Sequence, residues 1–437
     1  MKYELVLGLE IHLQLNTSEK MFCKCENNPF SAENPNTLTC PVCLGLPGAL
    51  PVPNKKAIES AQKMAYALKS NIQNKIIFER KNYFYPDLPK GYQITCPHYP
   101  ISIGGKLDMS YWTNQSDSFV GFREIHLEED TAKSMHKGSE TSVDFNKSGV
   151  PLLEIVTEPD FHDIEIAVDF CKEIQRIARA VQISEADMEK GNMRLEANVS
   201  MRKVGSKKLP NYRVELKNIN SFGFMRKAIA SELRRQSEAL GKGEKLSQET
   251  RGFDESKGTT FVQRSKEDAH DYRYFPEPDI PVIEIDNKWI LNITTSLLDL
   301  PSVTRQKLLD SKISKEYVDI LVENVILRNK YDELIILGYS PLVAANLVIN
   351  ISLYKSFSAH EIHLAEKEKL DGSLDAPDSL NPIINEVISE NLKAVEDYKN
   401  GKEIALTFML GQIMQKSKGK ADPKVSKDLL QQQLQKS

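Results

Sequence analysis

The chain has 437 residues, 40% of them apolar and 27% charged, with a formal net charge of −4. That length exceeds one ordinary hydrophobic core, so two or three domains are expected; the charge excludes a protein coated in basic surface. No apolar run approaches the roughly 20 residues of a membrane-spanning helix, and no basic-then-apolar leader precedes the first strand pattern. The expectation is a cytoplasmic protein with no membrane association, whose six cysteines stay reduced.

Residues 3–15 alternate strictly, with Tyr3, Leu5, Leu7, Leu9, Ile11, Leu13 and Leu15 on one face and Glu4, Glu10, His12 and Gln14 on the other. A period of two predicts a strand with its apolar face buried. Next come Cys23, Cys25, Cys40 and Cys43, a C-x-C-x14-C-x2-C pattern set among Pro, Asn and Gly. Two close pairs on facing turns can bring four thiolates around zinc at about 2.3 Å, and four thiolates leave no open position, so a structural knuckle is expected. Cys96 and Cys171 read as buried spares.

Cations beside aromatics mark two stretches. KNYFYPDLPKGYQIT carries Lys81, Tyr83, Tyr85, Lys90 and Tyr92, and DYRYFPEPD carries Tyr272, Arg273, Tyr274 and Glu277. Such groups can cradle phosphates and stack a base. Between them REIHLEEDTAK packs Glu124, His126, Glu128, Glu129 and Asp130 together, and PLLEIVTEP sets Glu154 and Glu158 among apolar neighbours. Unpaired carboxylates are costly there, and scattered carboxylates with phosphate oxygens suit magnesium.

Residues 163–182 and 224–240 show apolar stripes at helical spacing and read as structural helices. Residues 196–202 and 213–217 alternate as an antiparallel pair with one apolar face and one face bearing Glu196, Asn198, Ser200, Arg202, Arg213, Glu215 and Lys217. Composition then changes near Trp289 to Pro301, from strands and aromatics to helix formers. Leu370 to Pro382 reads as a linker. From Gly401 to Ser437 seven Lys face Glu403, Asp422 and Asp428, a local balance of +4 that suits a polyanion.

No P-loop, dinucleotide fingerprint, H-E-x-x-H or G-x-S-x-G elbow is present. Any ATP is therefore held without a P-loop. Two rival readings are a zinc hydrolase using His12, His126 and His136, disfavoured because these histidines span 124 residues without helical pairing, and a non-catalytic tRNA-binding scaffold built on the knuckle.

Taken in order, GLEIHLQLNTSEKMFCKC, PNTLTCPVCLGLPGALPVPN, KNYFYPDLPKGYQIT, IHLEEDTAK, GVPLLEIVTEPD, ANVSMR, VELKNINSF and HDYRYFPEPDIP closely resemble the B subunits of the aspartyl/glutamyl-tRNA(Asn/Gln) amidotransferases. The resemblance continues through VEDYKNGKEIALTFMLGQIMQKSKGKADP. It implies an α+β fold: an antiparallel-sheet cradle over residues 1–293, similar to the catalytic part of glutamine synthetase, then an all-α helical domain over 294–377 and a tRNA-binding tail over 378–437. It implies that ATP phosphorylates the side-chain carboxylate of mischarged Glu-tRNA(Gln) or Asp-tRNA(Asn), and that ammonia from an amidase (A) partner subunit then forms the amide. A small C subunit completes the bacterial-type complex.

Carried onto this sequence, Glu10, His12, Glu128, Glu129 and Glu154 become magnesium ligands or their supports. Lys81 and Arg273 become phosphate contacts, with Tyr83, Glu196 and Asn198 lining the same pocket. Two departures stand out: Glu196 occupies a position where Asp is expected, and the region from about Leu300 to Pro382 is abridged.

Overall fold

Strand β1 (Tyr3–Gln14) is the axis of the molecule's largest sheet. Leu5, Leu7, Leu9, Ile11 and Leu13 enter the main core, as the period predicts, while Glu10 and His12 point to the opposite face. That opposite face is not open to solvent: Val6 and Gln14 are also buried. The computed structural model describes residues 3–265, 271–295, 297, 299–371, 377–399, 401–417 and 420–436.

β2 (Glu79–Asn82) and β3 (Tyr92–Thr95) form a separate small sheet with Phe275–Pro276, while β1 shares the main sheet with the longer strands β4 (Phe119–Glu129), β5 (Pro151–Thr157), β6 (Met193–Lys203), β7 (Val214–Ile219), β8 (Glu249–Asp254) and β9 (Thr259–Ser265). Among the described residues the main sheet has ten strands: it runs β9-β8-β7-β6-β1-β5-β4 and ends in the short strands Ser102–Ile103 and Asn71–Ile72, and Lys106–Asp108 pairs with β4 off this path. Neighbours are antiparallel except β7 and β8. Register sets β1 between two charged strands: His12 lies opposite Glu154 on β5 and Arg194 on β6, and Glu10 lies opposite Glu196 on β6.

Helices α1 (Lys55–Ala67), α2 (Ile164–Ala180) and α3 (Phe222–Gly241) contribute to the same core. Asp163 and Ser221 accept hydrogen bonds from the first free amides of α2 and α3, which fixes where both begin. Phe170, Ile174, Met225 and Ile229 then bury their side chains, and Cys171 Sγ meets Met225 Sδ at 4.0 Å. Cys171 is thus the buried spare expected.

One irregularity shapes the site. Leu195 pairs with Ile219 but Ala197 pairs with Leu216, so β7 carries one extra residue opposite Glu196. Asn218 absorbs the bulge with φ of 60°. Bulges of this kind re-aim side chains beside functional sites.

Contacts divide the chain into Met1–Thr304 and Arg305–Ser437. The expected boundary at 293/294 falls within the helix Asn287–Thr295. That helix packs on α1, with Trp289 Nε1 donating to Gln62 Oε1 at 2.8 Å and Lys55 lying over the indole. The second unit is helical, with one apolar cluster drawn from Leu308 to Ile362 and another from Leu380 to Leu434. Of the expected linker at 370–382, residues 372–376 lie outside the described residues, and its end is already helix Pro377–Glu390 with Pro382 inside it. No helix of the described residues is long and apolar enough to cross a membrane.

Candidate active site and metal centres

The polar face of β1 and its neighbours forms the floor of two adjoining cavities, of about 480 and 750 Å³, that share Glu10, Lys81, Glu128 and Glu154 in their walls. Alternation along the strands decides which side chains reach them. From β4 come Glu124, His126 and Glu128; from β5, Glu154; from β1, Glu10 and His12; from β6, Arg194, Glu196 and Asn198. The β2–β3 hairpin brings Lys81 over the floor, with Lys81 Nζ 5.0 Å from the Tyr272 ring and Tyr83 packed edge-on against the same ring.

Ligand atoms of His12, Glu128 and Glu154 lie within 4.8 Å of one another, and so do those of Glu10, Glu196 and Glu215. Burial, reinforced by Glu128, pushes the Glu154 carboxyl up to about 8. Burial and the neighbouring Glu196 raise Glu10 in the same direction, against a hydrogen bond from Asn198 at 2.9 Å. His12 moves the other way, down to about 4, because burial disfavours its cation. It is therefore a neutral imidazole, the ligand form, and its 4.0 Å approach to Glu154 is not an ion pair at neutral pH. Crowded carboxylates that resist ionisation beside a neutral imidazole fit a divalent cation.

Cations complete the face. Burial works against the Lys217 ammonium, but Glu196 at 2.8 Å and Glu215 at 3.4 Å outweigh it and raise its pKa. Burial likewise opposes Lys81, and Glu128, Tyr274 and Glu154 raise it overall. His126 is raised to about 11: burial lowers it, but the Cys96 side chain and Glu124, 3.6 Å from its Nε2, outweigh that, and its Nδ1 lies 3.2 Å from the Cys96 carbonyl. Tyr83 is pushed up by burial and Glu128.

Two expected residues do not join this site. Glu129 falls on the other face of β4 because neighbours along a strand point to opposite sides. There it pairs with Lys90 and accepts from the Ile94 amide at 2.9 Å, with both side chains of the pair buried. Arg273 sits between the two tyrosines that line the cavities, in a left-handed conformation with φ of 45°. Its side chain is 82% exposed and meets Asp271 at 3.3 Å. His136 lies on the exposed hairpin Lys133–Lys137 and Glu140–Asp144, bonded to Thr141, so His12, His126 and His136 do not converge.

Glu215 and Lys217, expected on the charged face of the strand pair, and Arg194, which the sequence does not single out, complete the cavity wall. Their signal is the charged alternation of β6 and β7. The bulge opposite Glu196, which brings Glu215 and Lys217 to one carboxylate, has no such signature.

A separate centre forms at the cysteines. Ligand sulfurs of Cys23, Cys25, Cys40 and Cys43 all lie within 4.8 Å, no disulfide joins them, and Cys40 and Cys43 are 3.9 Å apart. A tetrahedron with Zn–S of about 2.3 Å has edges of about 3.8 Å, so the donor set fits zinc. The thiols compete for one negative charge. A hydrogen bond from Cys23 pulls Cys43 down to about 5, while the same pairing pushes Cys23 up. Gly149, at φ of +85°, sits where a Cβ would come within 3.5 Å of both Cys43 and Lys20, so the knuckle packs closely on the turn that precedes β5.

Comparison with known proteins bears on both centres. A model described as the GatB/GatE catalytic domain matches residues 5–291, and one described as the GatB domain matches 351–434. The chain belongs to the family of aspartyl/glutamyl-tRNA(Asn/Gln) amidotransferase B subunits. The relative bearing that name in Persephonella marina is 38% identical over 479 positions, covering 99% of this chain and all of the relative. Those from Thermoanaerobacter pseudethanolicus and Clostridium beijerinckii are 38% and 39% identical, with 99–100% of each chain covered. The Persephonella comparison runs 42 positions beyond this chain's 437 residues, so the relatives in this family carry stretches that it lacks. Residues 292–350 lie outside both family matches.

Proposed function

We propose that the paired cavities phosphorylate the side-chain carboxylate of Glu-tRNA(Gln) or Asp-tRNA(Asn) at the expense of ATP, and then exchange phosphate for ammonia to give the amide. The observation that carries this reading is the arrangement of His12, Glu128 and Glu154 and of Glu10, Glu196 and Glu215 in two tight groups on one sheet face, with Lys81 and Lys217 beside them. A carboxylate is a poor electrophile, and phosphorylation supplies the leaving group that amide formation needs. Such transfers depend on positioning and on neutralising charge.

His12, Glu128 and Glu154 would hold magnesium, with Glu10, Glu196 and Glu215 as a second group, and bound magnesium would neutralise phosphate oxygens. The chain's own cations do the rest. Lys81 reaches over the wall shared by both cavities, where a transferring phosphoryl group would lie. Lys217 holds Glu196 and Glu215 in place. The neutral imidazole of His12 offers a lone pair without a competing proton. Asn198 fixes the orientation of Glu10.

Ammonia is expected from an amidase subunit, with a small third subunit completing the complex, and the setting is the cytosol. The helical unit with its basic terminal segment would bind tRNA, more weakly as salt rises. The test combines the chain with its amidase partner, ATP, ammonium and Glu-tRNA(Gln), and follows ADP and Gln-tRNA(Gln). Glu128→Gln is expected to suppress both products at least about 100-fold. Unchanged rates would overturn the reading.

A further inference from the structure

Arg194 lines the larger cavity with its bonding incomplete on the cavity side. Its Nη2 donates to Asp130 Oδ2 at 2.8 Å. No other side-chain hydrogen bond or ion pair of Arg194 is present among the described residues, although the side chain lines the 750 Å³ cavity and is 39% exposed.

The anchor is buried and bonded on both oxygens. Asp130 is buried at 3% exposure and takes a second cation, Lys147, at 2.9 Å. Gln14 Nε2 donates to the same oxygen at 2.9 Å, and the Thr131 amide occupies Oδ1. One carboxylate thus faces two cations and takes a single guanidinium nitrogen of Arg194, which Glu128 and Glu196 attract without bonding. Lys217, by contrast, is already paired with both Glu196 and Glu215.

We propose that Arg194 reads the side-chain carboxylate of the aminoacyl group, binding its two oxygens with the guanidinium edge that Asp130 leaves free. The inference rests on the function given above and names the residue that recognises its acceptor. A guanidinium fork matches a carboxylate in plane and spacing, and an arginine already fixed by an ion pair loses little freedom on binding. Position agrees with the role. Arg194 is the cross-strand neighbour of His12, so a carboxylate it held would lie beside the His12, Glu128 and Glu154 group. Without such a contact the acceptor would meet a wall of carboxylates and be repelled.

The test compares the binding of Glu-tRNA(Gln) and Gln-tRNA(Gln), which differ by carboxylate against amide, to the complex with the amidase partner in magnesium buffer. The native protein is expected to prefer Glu-tRNA(Gln) by about tenfold or more, as a charge-assisted contact allows. In Arg194→Gln that ratio falls to about 1, while the affinity for Gln-tRNA(Gln) and the KM for ATP stay within about twofold. Arg194→Lys keeps the charge beside Asp130 and loses the fork; its ratio is expected to fall at least about fivefold. This variant decides the matter if the Gln variant fails to fold.

A ratio preserved in either folded variant would overturn the proposal, as would a native ratio near 1. A tenfold rise in the KM for ATP with the ratio intact would also overturn it, by assigning Arg194 to phosphoryl oxygens. Failure of the underlying function looks different: native complex that forms no ADP with Glu-tRNA(Gln), whatever stands at position 194.

Discussion

Replacing Glu154 by Gln should stabilise the metal-free protein while disabling it. In the folded chain the Glu154 carboxyl is pushed from its ordinary 4.5 to about 8, by burial first and by Glu128 second. A carboxyl raised on folding resists ionisation, so the metal-free fold loses stability as pH climbs from 4.5 through about 8. At neutral pH the penalty is at most roughly 3 kcal/mol. The side chain is 21% exposed, and solvent screening lowers this to about 2 kcal/mol. No ion pair is forfeited in exchange, because His12 is neutral at that pH. Gln keeps the shape and removes the charge.

The assay is thermal melting at pH 7.5 with chelator and then with millimolar magnesium. Glu154→Gln is expected to melt a few degrees above the native chain in chelator. It should gain less from magnesium, since a ligand stabilises only as far as it binds. Amide formation should fall at least about 100-fold. A variant that melts lower in chelator, or gains as much from magnesium, would refute the electrostatic account of the site.

Further outcomes follow from the same geometry. Magnesium affinity should rise with pH up to about 8 and level off above it, because protons on Glu154 and Glu10 compete with the metal while His12 does not; calorimetric titrations between pH 6 and 9 that show a flat or falling trend contradict this. Glu129→Gln should cost about 3–5 kcal/mol in denaturant unfolding, since it strands the buried Lys90 ammonium. Glu128→Gln, which faces the cavity, should melt near the native value and lose turnover instead. One zinc per chain is expected by metal analysis, and its removal, or Cys40→Ser, should lower the melting temperature of the Met1–Thr304 unit. Arg273→Ala should leave the KM for ATP within about twofold, as for an exposed side chain.

Period and spacing were enough for much of this protein. The alternation of residues 3–15 determined a strand, its buried face and the common direction of Glu10 and His12, because side chains on a strand have only two sides. Cysteine spacing determined the knuckle, since short x and x2 gaps constrain thiols locally. Apolar stripes determined α2 and α3 to within two residues. Ordered motifs pointed to the family.

Tertiary structure decided the membership of the site. Glu128 and Glu129 are adjacent in sequence, yet one lines a cavity and the other neutralises Lys90, a choice made by strand phase relative to the sheet. Glu196 and Glu215 meet Glu10 because of cross-strand register and a one-residue bulge. Arg194 is anchored by Asp130, 64 positions away along the chain, which also pairs with Lys147. Local pattern records which way a side chain points from its own strand. Which strands lie side by side, and in what register, depends on burying the whole core at once, and the chemistry of this site depends on that.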